Sequence, residues 1–368
     1  MPSDVSASRG FLQPLPPSVE LETVAVLRAL AAANRALAEL KGRAATIPNQ
    51  GILIDTLALQ EAKASSEIEN IVTTQDELFQ LGLFPDGLES GAAKEVARYR
   101  DALKLGLTQL LDTGGLIRNA TLIDMYRFLK ARSDGFRSTP GTALMNDRTG
   151  EVIDVPPQDR NEIIAAMSSL EAFINDDESC RLDPLIKMAL IHHQFESIHP
   201  FADGNGRIGR ILNVLYLTRT GLLDIPILYL SRHVNQHKAE YYRLLQSVRE
   251  EGAWEAWVLY MLEAVEKTSR TTLALVEGIR EQMADVKQRM RTQLPKLYSQ
   301  DLLNNLFRYP YTRIQFVRDD LRVTRQTAAD YLEQLVEKGF LEKHKSGRSN
   351  YYINTALVAL FLKVSEGP

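Results

Sequence analysis

The chain has a single cysteine, Cys180, among its 368 residues. A lone thiol closes no internal disulfide and builds no thiolate metal site, so a reducing, cytoplasmic setting is the expectation. Charge of one sign is also missing: 43 Lys and Arg stand against 47 Asp and Glu, a net charge of −4. That balance excludes a chain that binds nucleic acid or membranes as a whole polyelectrolyte, and any anion site must be local. No apolar run approaches membrane-spanning length, and the opening MPSDVSASRGFLQPLPPSVE has no basic start followed by an apolar stretch, so no membrane partner is expected. What is present is 45% hydrophobic residues over a length that suits one large domain and a smaller one.

Most of that content is spaced for helices. Leu21, Val24, Leu27 and Leu30 open a helical pattern that runs to Gly42, and further segments follow in IDTLALQEAKASSEIEN, AAKEVARYRDALKLGLTQLL, TLIDMYRFLKAR, NEIIAAMSSLEAFIND and DPLIKMALIHHQFESI. One interruption is TALMNDRTGEVIDVPP, where Thr142 to Met145 and Glu151 to Val155 flank a turn over 146–150 and Pro156-Pro157 stop the second strand. This reads as a lone hairpin in a helical domain. A long helical stretch from Trp254 to near Pro295 looks like a connector. From Asp301 three short helices precede a strand, a Gly347 turn and a strand, the order of a winged helix.

The densest chemistry lies in HPFADGNGRIGR, residues 199–210. Gly204, Gly206 and Gly209 match the GxGxxG spacing of a dinucleotide-binding turn, but that turn needs a buried strand before it. Here Leu185, Ile186, Met188, Ala189, Ile191, Phe195 and Ile198 are spaced for a helix. The alternative is helix, tight loop, helix. Gly204 and Gly206 let backbone N–H groups approach an anion, and the new helix adds its positive end. Arg207 and Arg210 reach one polyphosphate through charge-assisted bonds. Asp203 at the loop mouth suits Mg2+ beside phosphate, and the imidazole of His199 suits removal of a proton from an attacking hydroxyl. Together these residues point to phosphoryl or nucleotidyl transfer from a Mg-nucleotide to a hydroxyl. His192 and His193 on the incoming helix have no Cys or paired carboxylate at ligand spacing and read as packing residues.

HPFADGNGRIGR resembles the Fic family signature HPFx[D/E]GNGRxxR at every defined position. The resemblance implies a mainly α, Fic-type helical core with a small β-hairpin flap, and transfer of AMP from ATP to a Ser, Thr or Tyr hydroxyl of a target protein, the protein itself included. It implies His199 as general base, Asp203 as Mg2+ ligand, Gly204, Asn205 and Gly206 as the anion hole, and Arg207 and Arg210 as phosphate clamps. Doc-type phosphorylating relatives carry lysine where this chain has Gly206, which favours AMP transfer. The hairpin resembles the flap that aligns a target segment by strand addition. HKAEYYRLL resembles the segment lining the adenine pocket, with Tyr242 and Leu245 as candidates; plain core packing is the competing reading of those residues.

KASSEIENIVTT, residues 63–74, places Ser65 and Glu69 four apart with Asn70 next. Spacing alone gives a solvated helix end. The fragment nevertheless resembles the [S/T]xxxE[G/N] inhibitory motif of one class of these enzymes, which implies that Glu69 pairs with Arg210 in the place of the ATP γ-phosphate. In some relatives that glutamate also positions water for removing AMP, so a reverse activity is within the resemblance.

In TRQTAADYLEQLVEKG, Ala328, Tyr331, Leu332, Leu335 and Val336 form a stripe for burial and Gly339 is the stop. Arg325, Gln326 and Thr327 hold the positions that reach base edges in a recognition helix, and Lys343, Lys345 and Arg348 add a basic wing. Residues 301–368 carry ten Lys and Arg against eight Asp and Glu, a modest footprint for DNA. DNA binding therefore competes with dimerisation or target docking, and the alternative function is a DNA-binding regulator whose core senses nucleotide or modifies itself. The expected organisation is an N-terminal helical region with the inhibitory helix over 1–90, a core over 91–255, a helical connector over 256–297 and a winged helix over 298–368, in a homodimer.

Overall fold

The computed structural model describes residues 12–83, 91–145, 150, 152–178, 180–346 and 349–366. Within them the chain is mainly helical with two small antiparallel sheets. In order come α1 (Val24–Ala44), α2 (Gly51–Ile68), α3 (Gln75–Leu83), α4 (Gly91–Asp112) and α5 (Asn119–Lys130), then a hairpin of β1 (Leu144–Met145) and β2 (Val152–Asp154). Next are α6 (Arg160–Asn175), α7 (Pro184–Ile198), α8 (Asn205–Arg219), α9 (Ser231–Gln236), α10 (Lys238–Glu251) and α11 (Trp254–Gln293). The C-terminal part holds α12 (Gln300–Arg308), β3 (Tyr311–Thr312), α13 (Ile314–Leu321), α14 (Arg325–Glu337), β4 (Glu342–Ser346), β5 (Ser349–Ile353) and α15 (Thr355–Glu366).

Helix α7 is the hub. Every residue from Leu185 to Ile198 is buried, the mark of a helix surrounded on all sides. Its start is fixed by Asp183, whose carboxylate accepts from Leu185 N–H, and by Pro184 in the first turn, where a missing N–H costs nothing. Helix α8 is nearly as enclosed from Asn205 to Leu217 and packs on α7, so the loop between them is held at both ends by the core. The stretch read as a connector is the single forty-residue α11. Trp254 and Trp257 at its start are buried, Trp257 Nε1 donating to the Ala189 carbonyl of α7 at 2.8 Å, and α1 lies along its length.

The hairpin pairs Leu144 with Asp154 and Met145 with Val152 across a bulge; the predicted turn residues 146–149 and Glu151 lie outside the described residues. In the winged helix the sheet order is β3-β5-β4, one strand more than the sequence pattern predicts. Tyr311 and Thr312 follow Pro310 and pair with Ile353 and Tyr352, and two residues are too few to show a strand period. Of the stripe predicted in α14, Ala328, Leu332 and Leu335 are fully buried, while Tyr331 and Val336 pack at the core's edge. Gly339 ends the helix region with φ +70°, a conformation that favours glycine. Gly347 and Arg348 lie outside the described residues.

Candidate active site

The α7–α8 loop is shaped by three local devices. His199 ends α7 in the left-handed region with φ 49°, which turns the chain sharply out of the helix. Phe201 then plugs the core, fully buried and stacked on Tyr126 of α5 with ring centroids 4.2 Å apart. Asn205, also buried, returns two bonds across the loop: its Oδ1 accepts from Phe201 N–H and its Nδ2 donates to the Phe201 carbonyl, both at 2.8 Å. Gly204 precedes α8 with φ 76°, so Asn205 serves as a staple and Gly204 as the backbone hinge. Arg137 supports the outer side, donating from Nε to the His199 carbonyl at 2.8 Å and from its guanidinium to the Pro157 carbonyl beyond the hairpin.

Around this loop sits a dense set of ion pairs. Glu69 at the end of α2 accepts a hydrogen bond from Arg210 Nη2 at 2.9 Å and forms an ion pair with Arg207, Oε2 lying 2.6 Å from Nε. Ser65, one turn earlier, accepts from Arg210 Nε through its hydroxyl at 2.7 Å and from Arg210 Nη2 through its carbonyl at 2.9 Å. Asn70 follows with φ 61°, a conformation that Asn and Gly adopt most readily, which explains why either serves after the glutamate. Both arginine side chains are nearly inaccessible, at 1% and 3%, whereas Glu69 keeps 22% of its surface. A Cβ on Gly206 would stand 2.8 Å from both Glu69 Oε1 and Arg210 Nη1. The carboxylate therefore occupies the space that the glycine leaves open.

The structure adds residues that spacing did not reveal. Glu95 of α4 accepts from Arg207 Nη1 at 2.6 Å and from Lys130 of α5 at 2.5 Å, and Lys130 also holds Asp203 at 2.6 Å. Asp203 itself is 56% exposed. Burial works against its charge, but Lys130 and then Arg207 outweigh this and lower its pKa. Behind Arg210 lie two buried carboxyls, Glu61 and Glu196, each pushed up to about 7 by desolvation. Glu61 accepts from Tyr99 at 3.2 Å and from the Ser231 hydroxyl. Burial opposes the charge of Arg210 too, yet Glu69, the neighbouring tyrosines Tyr241 and Tyr99, and Glu196 raise its pKa. Both arginines stay cationic. The imidazole of His199 is pushed down to about 4, chiefly by desolvation, so it is neutral and able to accept a proton at ordinary pH.

Ser65, Glu69, Gly206, Arg207 and Arg210 thus converge, with Asp203, Gly204 and Asn205 on the same loop and His199 at its entry. Leu245 is 3% exposed and Tyr242 43% exposed on α10, and it is the adjacent Tyr241 that reaches inward, its hydroxyl 2.8 Å from His192 Nε2. His193 Nε2 lies 3.1 Å from the Leu245 carbonyl. Burial pushes both histidines to about 3, and no group of three or more potential metal ligands occurs among the described residues. The hairpin is anchored to α10 through Arg249 to Asp154 at 3.3 Å and Gln246 to the Ile153 carbonyl at 3.1 Å.

Fold and site together define a helical protein with a glycine-containing loop between two central helices, its two buried arginines paired with one carboxylate of the same chain. The Fic/DOC family model matches residues 116–217, the Fic/DOC family N-terminal model residues 27–108, and a model described as the C-terminal domain of SoFic-like protein adenylyltransferase residues 282–357. The chain belongs to the Fic/DOC family. Similar curated proteins include protein adenylyltransferase Fic of Culex quinquefasciatus, 32% identical over 112 residues, and that of Drosophila melanogaster, 31% identical over 112 residues. Each match covers 30% of this chain and 21% of the relative. A solved Fic family protein from Desulfovibrio desulfuricans shares the fold with a TM-score of 0.55 at 18% identity, covering 90% of this chain and 96% of that one. A Fic domain containing signaling protein from Bacteroides thetaiotaomicron does so with 0.54 at 21% identity over 67% and 96%. No helix among the described residues is long and apolar enough to cross a membrane.

Proposed function

We propose that this protein transfers AMP from ATP to a Ser, Thr or Tyr hydroxyl of a protein and that the structure represents its self-inhibited state. The observation that carries the reading is the position of Glu69, whose two oxygens pair with Arg207 and Arg210 beside Gly206. An arginine fork that holds a carboxylate with two charge-assisted bonds holds a phosphate in the same way. The similar proteins, named as protein adenylyltransferases, agree with ATP as the nucleotide. Exchange of Glu69 for the γ-phosphate keeps the buried guanidiniums paired, so it avoids the penalty of leaving them bare.

In the reaction the target oxygen bonds to the α-phosphorus and the bond from that phosphorus to the bridging oxygen of pyrophosphate breaks. The hydroxyl proton passes to the neutral imidazole of His199, and the electron pair of the broken bond leaves with pyrophosphate. N–H groups at the start of α8 and the charge of Arg207 stabilise the developing charge. Asp203 fits a hard cation: it is an exposed oxygen donor beside the phosphate loop, and Mg2+ is commonly held by one carboxylate plus substrate phosphates. Such an ion, held through Asp203, would supply charge neutralisation on the polyphosphate. Tyr242 and Leu245 remain candidates for the adenine wall. The short β1–β2 ribbon, anchored at its base to α10, is the edge for strand addition by the target.

The test uses Glu69→Gly protein, cell lysate and ATP labelled on either the α- or the γ-phosphate. Label from the α-position retained on protein, and lost with His199→Ala, supports AMP transfer. Retention of γ-label alone shows phosphorylation and refutes it.

A further inference from the structure

The winged helix contains a cleft that AMP transfer does not use. It opens where the starts of α13 and α14 meet strand β5, has a volume of about 360 Å3, and is walled by Arg313, Arg318, Arg325, Ser349 and Asn350 with no acidic side chain in its lining. Arg318 and Arg325 are exposed and Arg313 half-buried. Guanidiniums gathered around one space repel one another, and an anion placed among them relieves that repulsion.

Several acids of this part of the chain are engaged away from the cleft, which is why the near-neutral composition is misleading. Glu333 accepts from Lys343 at 2.6 Å and from the Tyr352 hydroxyl at 2.9 Å. Asp330 accepts from Gln326 at 2.8 Å and Asp320 from Asn305 at 2.8 Å. Asp319 pairs with its neighbour Arg318 at 2.6 Å, both groups about half exposed; exposed pairs of this kind are weak, and a phosphate readily replaces the carboxylate. Arg325 makes no ion pair among the described residues.

We infer that this cleft grips the phosphate backbone of double-stranded DNA, with the first turn of α14 at the mouth of the major groove. A B-form major groove admits a helix, whereas the major groove of an RNA duplex is too deep and narrow for side chains to read. Arginines on α13 and α14 lie on one side of the cleft, and Ser349 and Asn350 of the wing on the other, the arrangement by which a winged helix brackets a strand. Of the residues expected to read bases, Gln326 donates to Asp330 and the Thr327 hydroxyl bonds that of Thr324 at 2.8 Å, while Arg325 lines the cleft itself. The contact is therefore one of position and charge, with little sequence preference.

The experiment is fluorescence anisotropy of the full chain with a labelled mixed-sequence DNA duplex, titrated over salt. Three arginine–phosphate contacts give a slope of log K against log salt of about −2.7. The double variant Arg318→Gln/Arg325→Gln, both positions exposed, flattens the slope by about 1.8 and weakens binding to every sequence alike. Circular dichroism and retained nucleotide transfer show that the variant is folded. No binding of the wild type at low salt, full affinity in the double variant, or preference for an RNA duplex over DNA would each overturn the inference.

Discussion

Replacing Glu69 with glycine isolates the proposed inhibitory contact, because the carboxylate is removed while the rest of the loop keeps its supports. Arg207 still has Glu95 at 2.6 Å, and Arg210 keeps both bonds to Ser65. Glu69 contributes one charge-assisted hydrogen bond, from Arg210 at 2.9 Å, and an ion pair with Arg207 at 2.6 Å. A hydrogen bond to a charged group is worth about 1.5–3 kcal/mol net, and the ion pair with the buried Arg207 takes the sum to the upper end, about 3 kcal/mol in all. At about 1.4 kcal/mol per tenfold change, the ATP-competent population rises by roughly 100-fold. The assay is the initial rate of AMP incorporation at subsaturating ATP, with thermal melting in the presence and absence of Mg-ATP as a second readout. Glu69→Gln, which keeps the bulk and loses the charge, falls between the two. A Glu69→Gly rate within about threefold of wild type would refute the reasoning, since nothing else in the contact could then hold the site closed.

Gly206→Ala places a Cβ 2.8 Å from Arg210 Nη1 and Glu69 Oε1, so in the Glu69→Gly background it removes transfer activity by filling the phosphate position, read as lost Mg-ATP stabilisation in a melt. For His199 the working form is the neutral one, and its pKa is pushed down to about 4 from the ordinary 6.5. The kcat/KM of Glu69→Gly protein therefore stays level as pH falls through 6.5 and declines only toward pH 4; an acid limb centred at 6.5 would show that the imidazole is solvated during the reaction. Arg308→Ala loosens the anchor of α2 on the C-terminal domain, where Arg308 of α12 donates to Asp55 at 2.7 Å. This partly exposed pair is worth about 1 kcal/mol, so transfer by otherwise wild-type protein rises about fivefold in the same rate assay.

The parts of the site that the sequence displays are those made by neighbouring residues. The loop glycines, Asn205, Arg207 and Arg210 follow one another along twelve residues, and local geometry decides their placement. Ser65 and Glu69 are visible as a helix-spaced pair, but only the resemblance, not the spacing, connects them to Arg210. Glu95 lies 112 residues from Arg207, and nothing in AAKEVARYR separates it from a solvated helical acid. Glu61 and Glu196 are hidden for the same reason: their burial is a property of the α2, α4, α7 and α9 packing, which no single segment reports. In HKAEYYRLL helical periodicity cannot say which tyrosine faces inward, and the packing of α10 on α7 turns Tyr241 toward His192 and leaves Tyr242 exposed. The start of α7 is legible because Asp183 caps it and Pro184 takes its first turn, with apolar residues following at helical spacing. The two-residue β3 has no period to read and exists only because β5 is there to pair with it.

The most direct test of the account is a crystal structure of Glu69→Gly protein with Mg2+ and ATP. The account predicts the polyphosphate along the Gly204–Gly206 loop, with the γ-phosphate bonded to Arg210 where Glu69 Oε1 now lies and the α-phosphate facing His199. A nucleotide bound away from Arg207 and Arg210, or seated in the wild-type protein with Glu69 still on both arginines, would contradict it.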